Sequence, residues 1–172
     1  LDAKDADSAP STQAKIALEN PMSALFDLSG KTALVTGASR GIGESIARLL
    51  AAHGARVIVS SRKLDACETV ATSIRAAGGQ AEAIAAHIGE PAAIDALFAE
   101  LDAKGLTPDL LVNNAAANPY FGPMLDMGID AYHKTVDVNI RGYWYTTQQA
   151  AKRMKSGGSI VSEAFTCLFE GR

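Results

Sequence analysis

Thr32-Ala33-Leu34-Val35-Thr36 runs into Gly37-Ala38-Ser39-Arg40-Gly41-Ile42-Gly43, continues through residues 44–54, and reaches Arg56-Val57-Ile58-Val59-Ser60-Ser61-Arg62. An apolar strand, a glycine-rich turn, an amphipathic helix and a second apolar strand follow one another without a gap. That order defines a βαβ unit, which sets a dinucleotide pyrophosphate at the N-terminus of its helix. Gly37 allows the tight turn, Gly41 lets the backbone approach the phosphates, and Gly43 lets helix and strand pack closely. A glycine-rich loop alone carries little meaning; here the flanking strand, helix and strand supply it.

The same alternation continues along the chain. The first helix carries Ile42, Ile46, Leu49 and Leu50 as a stripe expected to face the sheet. His53-Gly54 closes it as a C-terminal glycine cap. A second helix is predicted over residues 63–77, with Leu64, Cys67, Ala71 and Ile74 inward and Gly78-Gly79 as its stop. Cys67 reads there as a small hydrophobe. A third strand covers residues 81–86. Pro91 then opens a third helix whose Ile94, Leu97, Phe98 and Leu101 point to the core. Leu110-Leu111-Val112 forms strand four and leads into Asn113-Asn114-Ala115-Ala116. After a Pro- and Gly-rich loop, one long helix is expected over residues 129–154, and Ser159-Ile160-Val161 begins strand five. Strands alternating with helices across short links imply a parallel, doubly wound α/β sheet. Right-handed crossovers make its order 3-2-1-4-5.

Bulk composition narrows the function classes. A chain of 172 residues suggests one domain, and 48% hydrophobic with 20% charged residues describes an ordinary globular protein. A net charge of −3 leaves no basic footprint, so nucleic acid is not an expected partner. Cys67 and Cys167 stand far apart and the three histidines are scattered, which argues against a disulfide framework and a metal site. No run approaches the about 18 apolar residues of a membrane span, so a membrane partner is not expected and the cytoplasm is the expected location. Residues 1–25 differ from the rest, being polar and alanine-rich around Pro10-Ser11-Thr12, without the basic start and apolar run of a secretory signal. They are expected to be a disordered or non-native extension, with Met22 as the native start. Residues 26–162 then form the dinucleotide-binding domain, and residues 163–172 a divergent tail.

The spacing T-G-x-x-x-G-x-G resembles that of the short-chain dehydrogenase/reductase family, and the resemblance runs from about Phe26 to Val161. It implies a Rossmann fold and hydride transfer between a nicotinamide and a carbonyl or alcohol. The cofactor-binding residues it points to are Gly37, Ser39, Arg40, Gly41, Ile42, Gly43, Ser61, Arg62, Asn114, Ala115 and Ala116. Asn113-Asn114-Ala115-Ala116 is similar to the family's NNAG motif, whose backbone approaches the cofactor ribose while its asparagines tie the loop to neighbouring strands. Asn139 matches the helix asparagine of the family's catalytic tetrad, which supports a proton relay. An acidic residue ending strand two favours NAD by accepting from the ribose hydroxyls. Here Ser61 and Arg62 stand there and Arg40 sits in the glycine loop, so NADP(H) is expected over NAD(H). His87 departs from the family, which usually has an acidic residue near the adenine at that place.

The resemblance also implies a serine after strand five and a Tyr-x-x-x-Lys pair, in which lysine lowers the tyrosine pKa. Four residues after Tyr120, Tyr132, Tyr143 and Tyr145 come Met124, Val136, Thr147 and Gln149, so no pair is present. Ser162 falls too early for the serine. The abrupt end of the resemblance suggests a frameshift or truncated gene, with strand five left as an exposed edge. Two readings therefore stand side by side. One is an NADP(H)-dependent oxidoreductase of small-molecule carbonyls or alcohols, with Pro119-Tyr120-Phe121-Gly122-Pro123 resembling carbonyl- and 3-oxoacyl-reductase members. The other is a truncated, catalytically inactive dinucleotide-binding fragment. Family members commonly form dimers or tetramers through the Asn139 helix and the one after it, so a homo-oligomer with an incomplete interface is expected.

Overall fold

Burial along β1 (Thr32–Thr36) shows how one strand serves two layers. Ala33 and Val35 belong to one core and Leu34 to the other, and all three are wholly buried. Side chains alternate across a strand, so a strand apolar at successive positions needs cover on both faces. The computed structural model describes residues 25–163. Apart from Leu25 and Glu163, the expected N-terminal extension and C-terminal tail lie outside the described residues.

After β1 come α1 (Gly41–Ala52), β2 (Arg56–Ser61), α2 (Leu64–Ala76), β3 (Gln80–Ala85), α3 (Pro91–Ala103) and β4 (Leu110–Asn113). A short 3-10 turn (Met124–Asp126) precedes α4 (Ile129–Val136), a π-helical stretch (Asp137–Gly142), α5 (Tyr143–Ala151) and β5 (Ser159–Ser162). The five strands are parallel and lie in the order β3-β2-β1-β4-β5. Ala47 and Ala51 of α1, with Cys67, Val70, Ala71 and Ile74 of α2, cover one face. Ile94, Leu97, Phe98 and Leu101 of α3, with Ala150 of α5, cover the other. The fold is a doubly wound Rossmann sheet, and its order reverses between β1 and β4. That reversal opens a crevice at the C-terminal ends of those two strands.

The four inward residues of α3 are all buried, as their spacing predicts. At about 2 kcal/mol each they contribute about 8 kcal/mol before the entropy of ordering them is subtracted. In α1 the expected stripe is rotated. Ile42 and Leu49 are 59% and 61% exposed, Ile46 and Leu50 are half-buried, and the buried positions are Gly43, Ala47 and Ala51. Small residues at i, i+4 and i+8 let the helix axis approach the sheet, and bulkier side chains would hold it off. Leu64, the first residue of α2, is likewise exposed, and Val70 joins Cys67, Ala71 and Ile74 on the buried face.

The close of α1 follows the glycine-cap expectation. Gly54 N–H donates to the Ala51 carbonyl at 3.0 Å and Ala55 N–H to the Leu50 carbonyl at 3.1 Å, the paired bonds of a Schellman ending. The single helix expected over residues 129–154 is not single. It widens at residues 137–142, where Gly142 meets the Ile88 carbonyl so closely that a Cβ would overlap it. Among the described residues β5 pairs with β4 alone, and its four residues are exposed.

Candidate functional site

Backbone carbonyls and hydroxyls at the ends of β1 and β4 are laced together. Thr36 Oγ1 donates to the Val112 carbonyl at 3.3 Å and accepts from the Asn114 and Ala115 N–H groups at 3.0 and 3.2 Å. Asn114 Nδ2 returns the link, donating to the Thr36 and Gly37 carbonyls at 3.0 and 3.2 Å. The crevice between the two strands is thereby held by five hydrogen bonds. Asn113 is wholly buried and donates to Thr147 Oγ1 and Ser162 Oγ, which joins β4 to α5 and β5.

The glycines make this lacing possible. A Cβ on Gly37 would stand 2.6 Å from Ala115 Cα, and one on Gly43 would meet Asn114 Nδ2 and the Gly37 carbonyl. Gly41 differs, with a φ of +60° and open space within 4 Å of where a Cβ would lie. Its backbone can therefore face a ligand. Arg40 is the N-cap of α1 in extended conformation, and no side chain among the described residues caps the helix. The first-turn N–H groups and the positive end of the helix dipole are left to an anion.

A cleft of about 720 Å³ opens beside this turn. It brings together ten of the sequence-predicted residues: Gly37, Ser39, Arg40, Ile42, Gly43, Ser61, Arg62, Asn114, Ala115 and Ala116. Gly41 begins the helix at its edge. Asn139 does not line the cleft but reaches its rim. Its Oδ1 accepts from Ala117 N–H at 2.8 Å and its Nδ2 donates to the Ala117 carbonyl at 3.0 Å. Ala117 itself lines the cleft.

Sequence reasoning missed Lys63, Ile88, Lys134 and Val138 as lining residues and noted His87 only as a departure. Lys63 adjoins Arg62 and was within reach; Lys134 and Val138 lie far along the chain, with no motif to mark them. His87 Nδ1 accepts from Gly89 N–H at 3.0 Å, and Arg141 donates to the Gly89 carbonyl at 2.7 Å. The π-helical stretch thus props the wall formed by residues 87–89. Arg40, Arg62, Lys63 and Lys134 give the cleft four cations, and no carboxylate among the described residues lines it. None of the four pairs with a carboxylate among the described residues.

Two tyrosines of α5 are held away from acid/base use near neutral pH. Tyr143 has a buried hydroxyl without a partner among the described residues, and burial, aided by Glu163, pushes its pKa up to about 12. Tyr145 donates to Asp95 at 2.7 Å, which also raises its pKa.

Comparison with known proteins agrees with this architecture. The short chain dehydrogenase family matches residues 31–164. A human protein, dehydrogenase/reductase SDR family member 4, is 35% identical over 136 residues, which cover 78% of this chain and 49% of that protein. L-rhamnose 1-dehydrogenase (NAD(P)(+)) of Azotobacter vinelandii is 40% identical over 142 residues, covering 78% and 55% respectively. A short-chain type dehydrogenase/reductase from Mycobacterium marinum superposes with a TM-score of 0.76 at 37% identity, over 81% of this chain and 57% of that one. A short chain dehydrogenase from Burkholderia cenocepacia, solved in complex with NADP, gives 0.72 at 39% identity over 78% and 55%. The chain thus spans about half the length of the relatives it matches. With its parallel 3-2-1-4-5 sheet, its laced glycine turn and these matches, the chain belongs to the short-chain dehydrogenase/reductase family.

Proposed function

We propose that the protein serves the NADP(H)-dependent oxidoreduction of a small-molecule carbonyl or alcohol, with these 172 residues supplying the cofactor site. The observation that carries this reading is the cleft at the sheet's switch point, lined among the described residues by a glycine turn and four cations and by no carboxylate. The pyrophosphate would lie on the open N-terminus of α1, against Gly41 and Ile42. Arg40, Arg62 and Lys63 would hold a ribose 2′-phosphate, since guanidinium groups bind phosphate through paired, charge-assisted hydrogen bonds. Asn114, Ala115 and Ala116 would border the ribose. Bound there, the nicotinamide supplies hydride exchange with the carbonyl carbon. Asn139 would fix the Ala117 segment through its two hydrogen bonds, keeping the rim of the cleft in place. The loop around Pro119–Pro123 supports a carbonyl- or 3-oxoacyl-reductase-like substrate.

Expressed as these 172 residues, the chain is expected to hold the cofactor without turning it over. None of its tyrosines has a lysine four residues on, and burial drives Tyr143 away from neutral titration. Ile140 and Trp144, exposed one helical turn apart, support a self-association face. The cytoplasm suits the reading, and no described helix is long and apolar enough to cross a membrane. Fluorescence titration with NADPH and NADH, beside NADPH consumption over a carbonyl panel, tests the proposal. Tighter NADPH binding without turnover is the expected result. Equal or tighter NADH binding overturns the cofactor choice, and turnover at the rate of whole family enzymes overturns the view of this chain as binding only.

A further inference from the structure

Ser61 ends β2 with its main chain held against β3. It pairs in register with Ala85, and its carbonyl accepts from Ala86 N–H at 2.9 Å. Only its side-chain torsion and hydroxyl rotor remain free. The residue facing that rotor is Cys67, wholly buried in the first turns of α2, with Sγ 3.3 Å from Ser61 Oγ. Cys67 N–H donates to the Lys63 carbonyl at 3.2 Å, so the thiol is placed by the same turn that carries Arg62 and Lys63.

We propose that Cys67 is a positioning residue that donates to Ser61 Oγ and turns the Ser61 hydroxyl proton into the cleft, selecting a 2′-phosphate over a 2′-hydroxyl. The inference deepens the NADP(H) reading and rests on it. A carboxylate at this position accepts hydrogen bonds from ribose hydroxyls. A serine whose oxygen already accepts from a thiol presents its proton instead, and a phosphate has acceptors only. Burial holds the Cys67 thiol above its ordinary pKa, so it stays protonated and able to donate at neutral pH. No other hydrogen bond to the Ser61 side chain is made among the described residues, which leaves its proton for a ligand. The thiol touches no ligand itself; it acts through Ser61, which lines the cleft with Arg40 and Arg62.

The test compares adenosine 2′,5′-bisphosphate with adenosine 5′-diphosphate by calorimetry on the intact protein and on Cys67→Ala, Cys67→Ser, Ser61→Ala and the Ser61→Ala/Cys67→Ala double variant. Thermal melts accompany each binding measurement. Losing one oriented neutral hydrogen bond should lower the preference for the bisphosphate about threefold in Cys67→Ala. Affinity for the diphosphate should not move, and Cys67→Ser, which restores a donor, should keep the parent preference. In the Ser61→Ala background the Cys67 change should have no further effect. An unchanged preference in Cys67→Ala, an equal loss for both nucleotides, or additive losses in the double variant overturns the proposal, because each marks Cys67 as packing alone. If the parent protein binds the two nucleotides equally, the NADP(H) reading fails first and this inference falls with it.

Discussion

Replacing Gly43 by alanine sets two physical effects against each other. Alanine in a helix is favoured over glycine by about 1 kcal/mol, so propensity alone predicts stabilisation. The new Cβ, however, would meet Asn114 Nδ2 and the Gly37 carbonyl. Moving the Asn114 side chain aside loses its bonds to the Thr36 and Gly37 carbonyls, together about 2 kcal/mol. Overpacking against backbone adds about 2 kcal/mol more. The balance is a net loss of about 3 kcal/mol, which for a domain of this size lowers the melting temperature by about 9 °C. Differential scanning calorimetry on Gly43→Ala, Asn114→Ala and the double variant separates the terms. With the Asn114 bonds already gone in the Asn114→Ala background, the alanine at position 43 should cost only about 1 kcal/mol there, a third of its cost in the parent. A Gly43→Ala protein that melts at or above the parent temperature would refute the close-packing argument and leave helix propensity in charge.

The remaining predictions concern the cations, the π-helical stretch and a buried hydroxyl. Arg40→Ala and Arg62→Ala should each weaken NADPH binding about tenfold and leave NADH binding unchanged, as read by fluorescence titration; matched losses for both cofactors would contradict the 2′-phosphate assignment. Asn139→Ala should destabilise the protein by about 2 kcal/mol in urea unfolding, because it strands the Ala117 N–H and carbonyl. Tyr143, with a pKa raised in the folded state to about 12 from an ordinary 10, stabilises the neutral form. Its contribution is full below pH 10 and is lost between pH 10 and 12, so Tyr143→Phe should flatten the alkaline limb of stability measured against pH.

Much of the fold was legible because its determinants are local. The apolar runs of β1, β2 and β4, the inward face of α3 and the His53-Gly54 ending each follow from a few adjacent residues. Where packing partners decide, the reading slipped. The bulky side chains of α1 suggested a stripe through Ile42 and Leu49, yet the surface that touches the sheet is Gly43, Ala47 and Ala51. Bulk marks what can be buried, whereas closeness of approach is set by what is small. The same distinction explains the site. The glycine turn and its neighbouring arginines lie in one stretch of sequence, while Lys134 and Val138 reach the cleft from a helix about 100 residues beyond β1.

The π-helical stretch could not be read at all, and its physical reason lies across the fold. Gly142 must sit against the Ile88 carbonyl, Arg141 must reach the Gly89 carbonyl, and Asn139 must meet both polar groups of Ala117. Spreading one turn of helix over an extra residue re-aims the side chains that follow it. These three contacts join the wall at residues 87–89 to the rim at Ala117. A regular helix through Asn139 would rotate the later positions by about 100° and lose that registry. The asparagine and the widened turn therefore work as one device. Each is placed by contacts with backbone that no neighbouring residue in the sequence announces.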